Sequence, residues 1–130
     1  MNEIYSAIYD RLTSQLAESV YDHVPQDLNE NNYPFVRVDS LEINNNDVDD
    51  KTGFSATIQI VGFSRYRGVK EVSNIADSVY NSLNRFNFPD TSNYGISGIE
   101  ETIRKIIVQS DGLTRNSVQR YELNFEPLPI

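Results

Sequence analysis

Residues 53–84, GFSATIQIVGFSRYRGVKEVSNIADSVYNSLN, combine a strand, a short basic turn and an amphipathic helix. Their first part alternates with a period of two in a run rich in β-branched residues, which predicts a central strand. After Gly68 the apolar residues recur at threes and fours, which predicts a helix with one apolar stripe. Because the strand and the helix are so close in the chain, we expect them to pack on each other. The stripe is formed by Val72, Ile75, Ala76, Val79 and Leu83.

The residues before this unit predict a helix, two extended segments and a loop. An apolar stripe at helical spacing predicts a helix over residues 2–19. Residues 20–24 are β-prone, and residues 35–43, FVRVDSLEI, form an extended run whose apolar face changes near Ser40. This change indicates a bulge or a bend in the strand. Residues 44–52, NNNDVDDKT, predict a polar loop, and they lack the glycine and glutamate that an EF-hand calcium loop requires.

The last third of the chain predicts a β-hairpin. Residues 103–110, IRKIIVQS, are rich in β-branched residues and precede the turn dipeptide Asp111-Gly112 and a strand of alternating pattern. The spacing of the isoleucines from Ile99 onward also fits a helix, and we favour the strand because of the turn that follows. Residues 94–98 contain two glycines, and we expect them to form a loop that leads into the hairpin.

These elements follow the order α-β-β-β-α-β-β, and we expect one domain over residues 1–130 because the length is typical of a single domain. The order predicts a two-layer α+β fold. We expect a mostly antiparallel sheet of four to five strands with two helices on one face.

Acidic residues dominate the charge of the chain and lie in one part of it. The formal net charge is -8, of which residues 22–50 carry -7 and residues 51–130 carry +1. Binding to nucleic acid without sequence preference requires clustered Lys and Arg to neutralise phosphates. The charge therefore argues against such binding, and it fits either a solvated acidic surface or a surface that meets a basic partner.

The sequence offers little that could catalyse a reaction. It contains no cysteine, which excludes a cysteine nucleophile and a thiolate zinc site, and His23 is its only imidazole. Asp22 precedes His23, but adjacent strand residues point to opposite faces, so we do not expect this pair to work together. Glu100 and Glu101 have no recognisable pocket around them that would shift a pKa. We therefore predict no catalytic residue, no metal site, no cofactor and no enzyme activity.

No stretch of the sequence is typical of a signal peptide or of a membrane-spanning helix. We accordingly expect a soluble protein that is made in the cytoplasm and has no membrane partner.

A series of segments along nearly the whole chain resembles the tail-completion or tail-terminator proteins of long-tailed bacteriophages, which are related in kind to small neck proteins. The Tyr-Pro start of the second extended segment, the junction at Arg67-Gly68 and the Asp-Gly turn contribute most to this resemblance. The segments are IYSAIYDRL (4–12), VYDHVPQD (20–27), YPFVRVDS (33–40), FSATIQIVGFSRYRG (54–68), VKEVSNIADSVYNSLN (69–84) and DGLTRNSVQRYELNFE (111–126).

The resemblance implies a structural virion protein that forms a ring, usually a hexamer, at the head-proximal end of the tail. Such a ring ends polymerisation of the tail tube and joins the tail to the head connector. Its implied partners are further copies of itself, the tail tube protein and the connector or neck protein. DNA passes through the channel without being bound specifically, and the protein is made in the host cytoplasm.

Ring closure would require one surface of a subunit to meet a different surface of the next. Basic residues crowd the turn between the central strand and the second helix, so we expect this turn to contact the acidic loop of the adjacent subunit. The expected interface consists of Asp47, Asp49, Asp50, Lys51, Arg65, Tyr66, Arg67 and Lys70.

An alternative function also fits the charge. A monomeric acidic binding or inhibitor protein would target a basic partner, and it would display its acids as a rigid ordered array. The densest acids of this chain lie instead in segments rich in asparagine, which argues against this alternative.

Overall fold

A six-stranded sheet carries two helices on one of its faces. The computed structural model describes residues 2–24, 26, 28–44 and 53–129. The described elements are α1 (Asn2–Gln15), β1 (Ser19–Tyr21), a short 3₁₀ helix (Glu30–Asn32), β2 (Phe35–Val38), β3 (Glu42–Asn44), β4 (Phe54–Ser64), α2 (Lys70–Leu83), β5 (Tyr94–Val108) and β6 (Arg115–Pro127).

Strand β4 lies inside the sheet, as its pattern predicts. The strand order is β1-β2-β4-β6-β5, and β3 pairs with the first half of β4 on the same side as β2. Among the described strands only β1 and β2 pair in parallel. The α+β class and the mostly antiparallel sheet are therefore confirmed, whereas the sheet has six strands rather than four or five.

The additional strand arises where the sequence indicates a bulge or a bend. The extended run over residues 35–43 is interrupted between Val38 and Glu42, and its two halves pair with different parts of β4. The backbone N–H of Asp39 still donates to the carbonyl oxygen of Gln59 at 2.9 Å, so the chain stays beside β4 through the break.

The main core lies between the sheet and the helices. Ile58 and Ile60 of β4 are fully buried, and they belong to one apolar cluster with Ile75 and Val79 of α2. All five residues of the predicted α2 stripe are buried, which confirms the helical pattern. The cluster also contains Ile4, Ile8 and Leu12 of α1, Val36 and Val38 of β2, and Tyr121, Leu123 and Phe125 of β6.

Two tyrosine hydroxyl groups connect α1 to the strands β2 and β1. The Tyr5 hydroxyl donates to the carbonyl oxygen of Val38 at 2.8 Å, and the Tyr9 hydroxyl donates to that of Val20 at 2.9 Å. A smaller apolar cluster covers the opposite face of the sheet, where the rings of Phe35 and Phe63 stack with centroids 4.4 Å apart.

Strand β5 begins earlier than the sequence indicates. Residues 94–98 are not a loop, because they pair with the end of β6 from Asn124 to Pro127. Local composition suggested a turn, but the aromatic rings of Tyr94 and Phe125 pack edge to face at 5.5 Å and hold this segment in the sheet. The pairing register shifts between Ile96 and Gly98, which indicates a β-bulge. Glycine is common at such bulges as well as in turns, so Gly98 lies within the strand. The helical alternative for the isoleucine-rich segment is excluded, and the hairpin is confirmed.

Candidate assembly surfaces

The basic turn, residues 65–70, leads from β4 into the first residue of α2. It contains the four described residues of the expected interface: Arg65, Tyr66, Arg67 and Lys70. Gly68 has a φ of 79°, which is the left-handed region that side chains disfavour. This conformation reverses the chain from β4 into α2 and leaves most of the turn on the surface. The predicted acidic partners, Asp47, Asp49 and Asp50, and also Lys51, lie outside the described residues.

Within the basic turn, Arg65 interacts with its own subunit. Its Nε donates to Thr114 Oγ1 at 3.2 Å, and its guanidinium carbon lies 4.5 Å from the centroid of the Tyr33 ring. The side chain is only partly exposed, and it connects the basic turn to the turn between β5 and β6. Arg65 therefore supports the structure of this end of the subunit.

The other three predicted residues of the turn are exposed to solvent. Tyr66 is 62% exposed, and Arg67 and Lys70 are exposed as well. Tyr66 and Lys70 line a groove of about 360 Å³ that also includes Glu18 and Pro34. Exposed tyrosine and arginine side chains are frequent anchors of protein interfaces, so this part of the turn is suited to intermolecular contact.

A second groove, of about 570 Å³, lies on the face of the sheet opposite the helices and is acidic at one end. Asp39 is held there by Arg37, whose Nε donates to the carboxylate at 2.7 Å, and by the Gln59 amide at 2.8 Å. Asp22 and Glu42 line the same groove and are exposed. The sequence showed the acidic residues but not this groove, because four separate segments of the chain line it.

The Asp-Gly turn of the hairpin is built as predicted, with Gly112 at a φ of 71°. The Asp111 carboxylate accepts hydrogen bonds from the backbone N–H groups of Leu113 and Thr114 at 2.9 and 2.8 Å. It also accepts one from the Thr114 hydroxyl at 2.7 Å. These donors, the Thr114 N–H foremost, stabilise the charged form and lower the pKa of Asp111 to about 2.

An apolar surface lies along the last part of β5, which is an edge strand of the sheet. Ile103, Ile106, Ile107 and Val108 are each between 37% and 53% exposed. The sequence predicted the strand but not this exposure. The sequence shows a strand with apolar residues on both faces, which is typical of a buried strand. The structure shows that this part of β5 lies at the edge of the sheet with both faces exposed.

His23 and the pair Glu100 and Glu101, which the sequence offered as possible catalytic groups, lie at opposite ends of the described sheet. His23 and Asp22 do contact each other, contrary to the prediction, because β1 ends at Tyr21 and the chain bends at these two residues. Both side chains are exposed, so their contact is solvated. Glu100 lies near Arg85 at 3.4 Å, whereas Glu101 accepts from Arg104 on the other face of β5. The described residues contain no group of three or more His, Cys, Asp or Glu that could hold a metal ion.

No helix among the described residues has the length and apolar character that crossing a membrane requires.

Comparison with known proteins identifies the fold but no family. No protein-family model matches the chain, and no curated protein matches it. Among solved structures, the chain is similar to one described as "Virion of native gene transfer agent (GTA) particle", with a TM-score of 0.76 and 18% sequence identity. The similarity covers 96% of this chain and 96% of that chain. At this level of identity the similarity shows a shared fold.

Proposed function

We propose that this protein is a structural component of a phage-like virion and forms a ring at the head-proximal end of the tail. The observation that carries the proposal is the similarity in fold to a chain of a gene transfer agent virion, which extends over 96% of both chains. The resemblance of the sequence to tail-terminator proteins supports the more specific role of ending tail-tube polymerisation.

In this role the subunit needs two different surfaces that meet head to tail, because a ring is closed by heterologous contacts. The exposed Tyr66, Arg67 and Lys70 supply a basic surface with an aromatic anchor. Arg65 acts indirectly, since its contacts with Tyr33 and Thr114 hold the turn in place. The basic surface would meet acidic residues of the adjacent subunit, among them Asp47, Asp49 and Asp50.

The net charge of the chain suits a channel through which DNA passes. Each subunit carries a formal charge of -8, so a ring of six would carry about 48 negative charges. Such a wall repels phosphate groups and lets DNA slide. The number of six comes from the resemblance to tail-terminator proteins.

Three measurements on the purified chain test this proposal. Native mass spectrometry and negative-stain electron microscopy are expected to show a closed ring. Mixing the protein with tail tubes of the same particle is expected to stop further growth of the tubes. A protein that stays monomeric at its highest soluble concentration and leaves tube growth unchanged would contradict the proposal. It would favour the acidic monomeric binding protein instead.

A further inference from the structure

The outer edge of β5 is bonded in its first half and open in its second half. The N–H of Arg85 donates to the carbonyl oxygen of Ile99 at 2.8 Å, and the N–H of Glu101 donates to Asn84 Oδ1 at 2.9 Å. The residues after α2 thus cover this half of the edge. No described residue bonds to the outer backbone of residues 102–108.

The open half of the edge presents unpaired backbone groups next to apolar side chains. The N–H of Gln109 donates to the carbonyl oxygen of Thr114 at 2.8 Å, so the backbone of Gln109 faces β6. Because these groups alternate in an antiparallel pair, the N–H groups of Ile106 and Val108 point away from β6. An exposed apolar edge of this kind pairs readily with another chain.

The two edges of the sheet differ in charge. β1 and β3 form the edge opposite to β5, and Glu18, Asp22 and Glu42 lie in or beside these strands. Residues 18–44 carry a net charge of -5, whereas the open segment 102–108 carries +2 and contains no acidic residue. Arg104 is paired with Asp77 and Glu101 of its own subunit, so among the described residues Lys105 supplies the unpaired positive charge of this segment. A contact between β5 and the opposite edge of another copy would therefore bring opposite charges together.

We propose that the open half of the β5 edge, residues 102–108, docks a second copy of this chain through that copy's acidic edge at β1 and β3. The inference rests on the proposed ring and names the surfaces that close it. Charge opposes the symmetric alternative, in which two β5 edges would pair and bring the Lys105 side chains of both copies close together. The basic turn lies beside the tip of this hairpin, where Arg65 donates a hydrogen bond to Thr114.

Two exposed apolar residues near the tip of the hairpin form a matched pair for the test. Val108 lies on the open edge and is 53% exposed, whereas Leu113 lies in the turn and is 57% exposed. We expect Val108→Lys to raise the concentration for half-assembly about tenfold or more, because it places a charge in a buried contact. We expect Leu113→Lys to assemble like the parent chain. Sedimentation velocity measures both, with circular dichroism as the control for folding.

Exchanging the charges of one residue on each proposed surface tests whether the two surfaces meet. Both residues are exposed, so their substitution leaves the core intact. Lys105 and Glu42 are exposed, and their strand partners place both on the face of the sheet opposite the helices. Lys105→Glu and Glu42→Lys are each expected to weaken assembly, and the chain that carries both is expected to recover it. In the assembled parent, hydrogen exchange at the N–H groups of Ile106 and Val108 is expected to slow.

The outcomes separate this inference from the proposed function. Rings that form normally from Val108→Lys, or a double variant no better than the weaker single one, would overturn the inference and leave the virion role intact. Normal rings that no longer stop tube growth would assign the open edge to the tube protein, which also overturns the inference. A parent chain that never assembles would overturn both the inference and the ring.

Discussion

Gly62 of β4 lies so close to Ile75 of α2 that position 62 has no room for a side chain. A Cβ atom built on Gly62 would lie 2.9 Å from Ile75 Cγ2 and would overlap with Ser117 Oγ. The same Ser117 oxygen accepts a hydrogen bond from the Gly62 N–H at 3.2 Å. The contact between the central strand and α2 therefore depends on the absence of a side chain at this position.

We expect Gly62→Ala to lower the free energy of unfolding by about 1–3 kcal/mol, because the added methyl group must displace well-packed neighbours. Gly98→Ala is the control, since a Cβ atom there meets no heavy atom within 4 Å. Urea denaturation of both variants measures the difference. Equal midpoints for the two variants would show that α2 packs less closely on β4 than the structure indicates.

Ile60→Asp is expected to prevent folding. Ile60 is fully buried in the main core, and an unpaired buried carboxylate costs several kcal/mol against a total stability of about 5–15 kcal/mol. Ser78→Asp introduces the same group at an exposed position of α2 and is expected to fold. Circular dichroism and thermal unfolding distinguish the two, and a cooperatively unfolding Ile60→Asp protein would refute the central position of β4.

Arg65 and Arg67 are expected to differ in their effect on stability although they are two residues apart. Arg65→Ala removes a hydrogen bond to Thr114 and the contact with the Tyr33 ring, so we expect a loss of about 1–2 kcal/mol. Arg67→Ala changes an exposed side chain, and its effect is expected to stay within about 0.5 kcal/mol. Chemical denaturation tests both, and equal losses would mean that Arg65 has no supporting role.

The basic turn is expected to act in assembly through its exposed cations. The double substitution Arg67→Glu and Lys70→Glu should leave the fold intact and prevent rings, and rings of the parent should loosen as salt rises. Arg85→Glu is the control, because its side chain is 80% exposed and belongs to neither proposed surface. If the double variant assembles at the parental concentration in low salt, Arg67 and Lys70 lie outside the interface.

The Asp111 carboxyl is expected to titrate with a pKa of about 2, compared with an ordinary value of 3.8. Because the folded-state pKa is the lower one, its contribution to stability is fully present above the ordinary value and is lost as the pH falls through about 2. Carboxyl carbon NMR measures this pKa, and Asp111→Asn identifies the resonance by its disappearance. A measured pKa near 3.8 would mean that the hydrogen bonds of the turn are not formed in solution.

Two local predictions succeeded because each depends on a repeating pattern within one element. The period of two in β4 and the apolar stripe from Val72 to Leu83 each predict which side of the element packs in the core. The predicted side of β4 and the predicted side of α2 are both buried in the main core. Residues 94–98 were assigned to a loop because of their glycines. They form part of β5 because β6 offers them a continuous partner, and this pairing joins residues about 30 positions apart.

Local patterns in the sequence are sufficient to predict the α+β class, the central strand with its helix, the hairpin turn and the uneven distribution of charge. The pairing of distant segments was needed to place Arg65 against its own subunit and Ile106 and Val108 on an open edge. The periodicity of a segment shows which face of that element is buried, because residues close together in the chain specify it. The position of a strand at the edge of a sheet depends instead on which distant segments pair with it, and no local pattern encodes that choice.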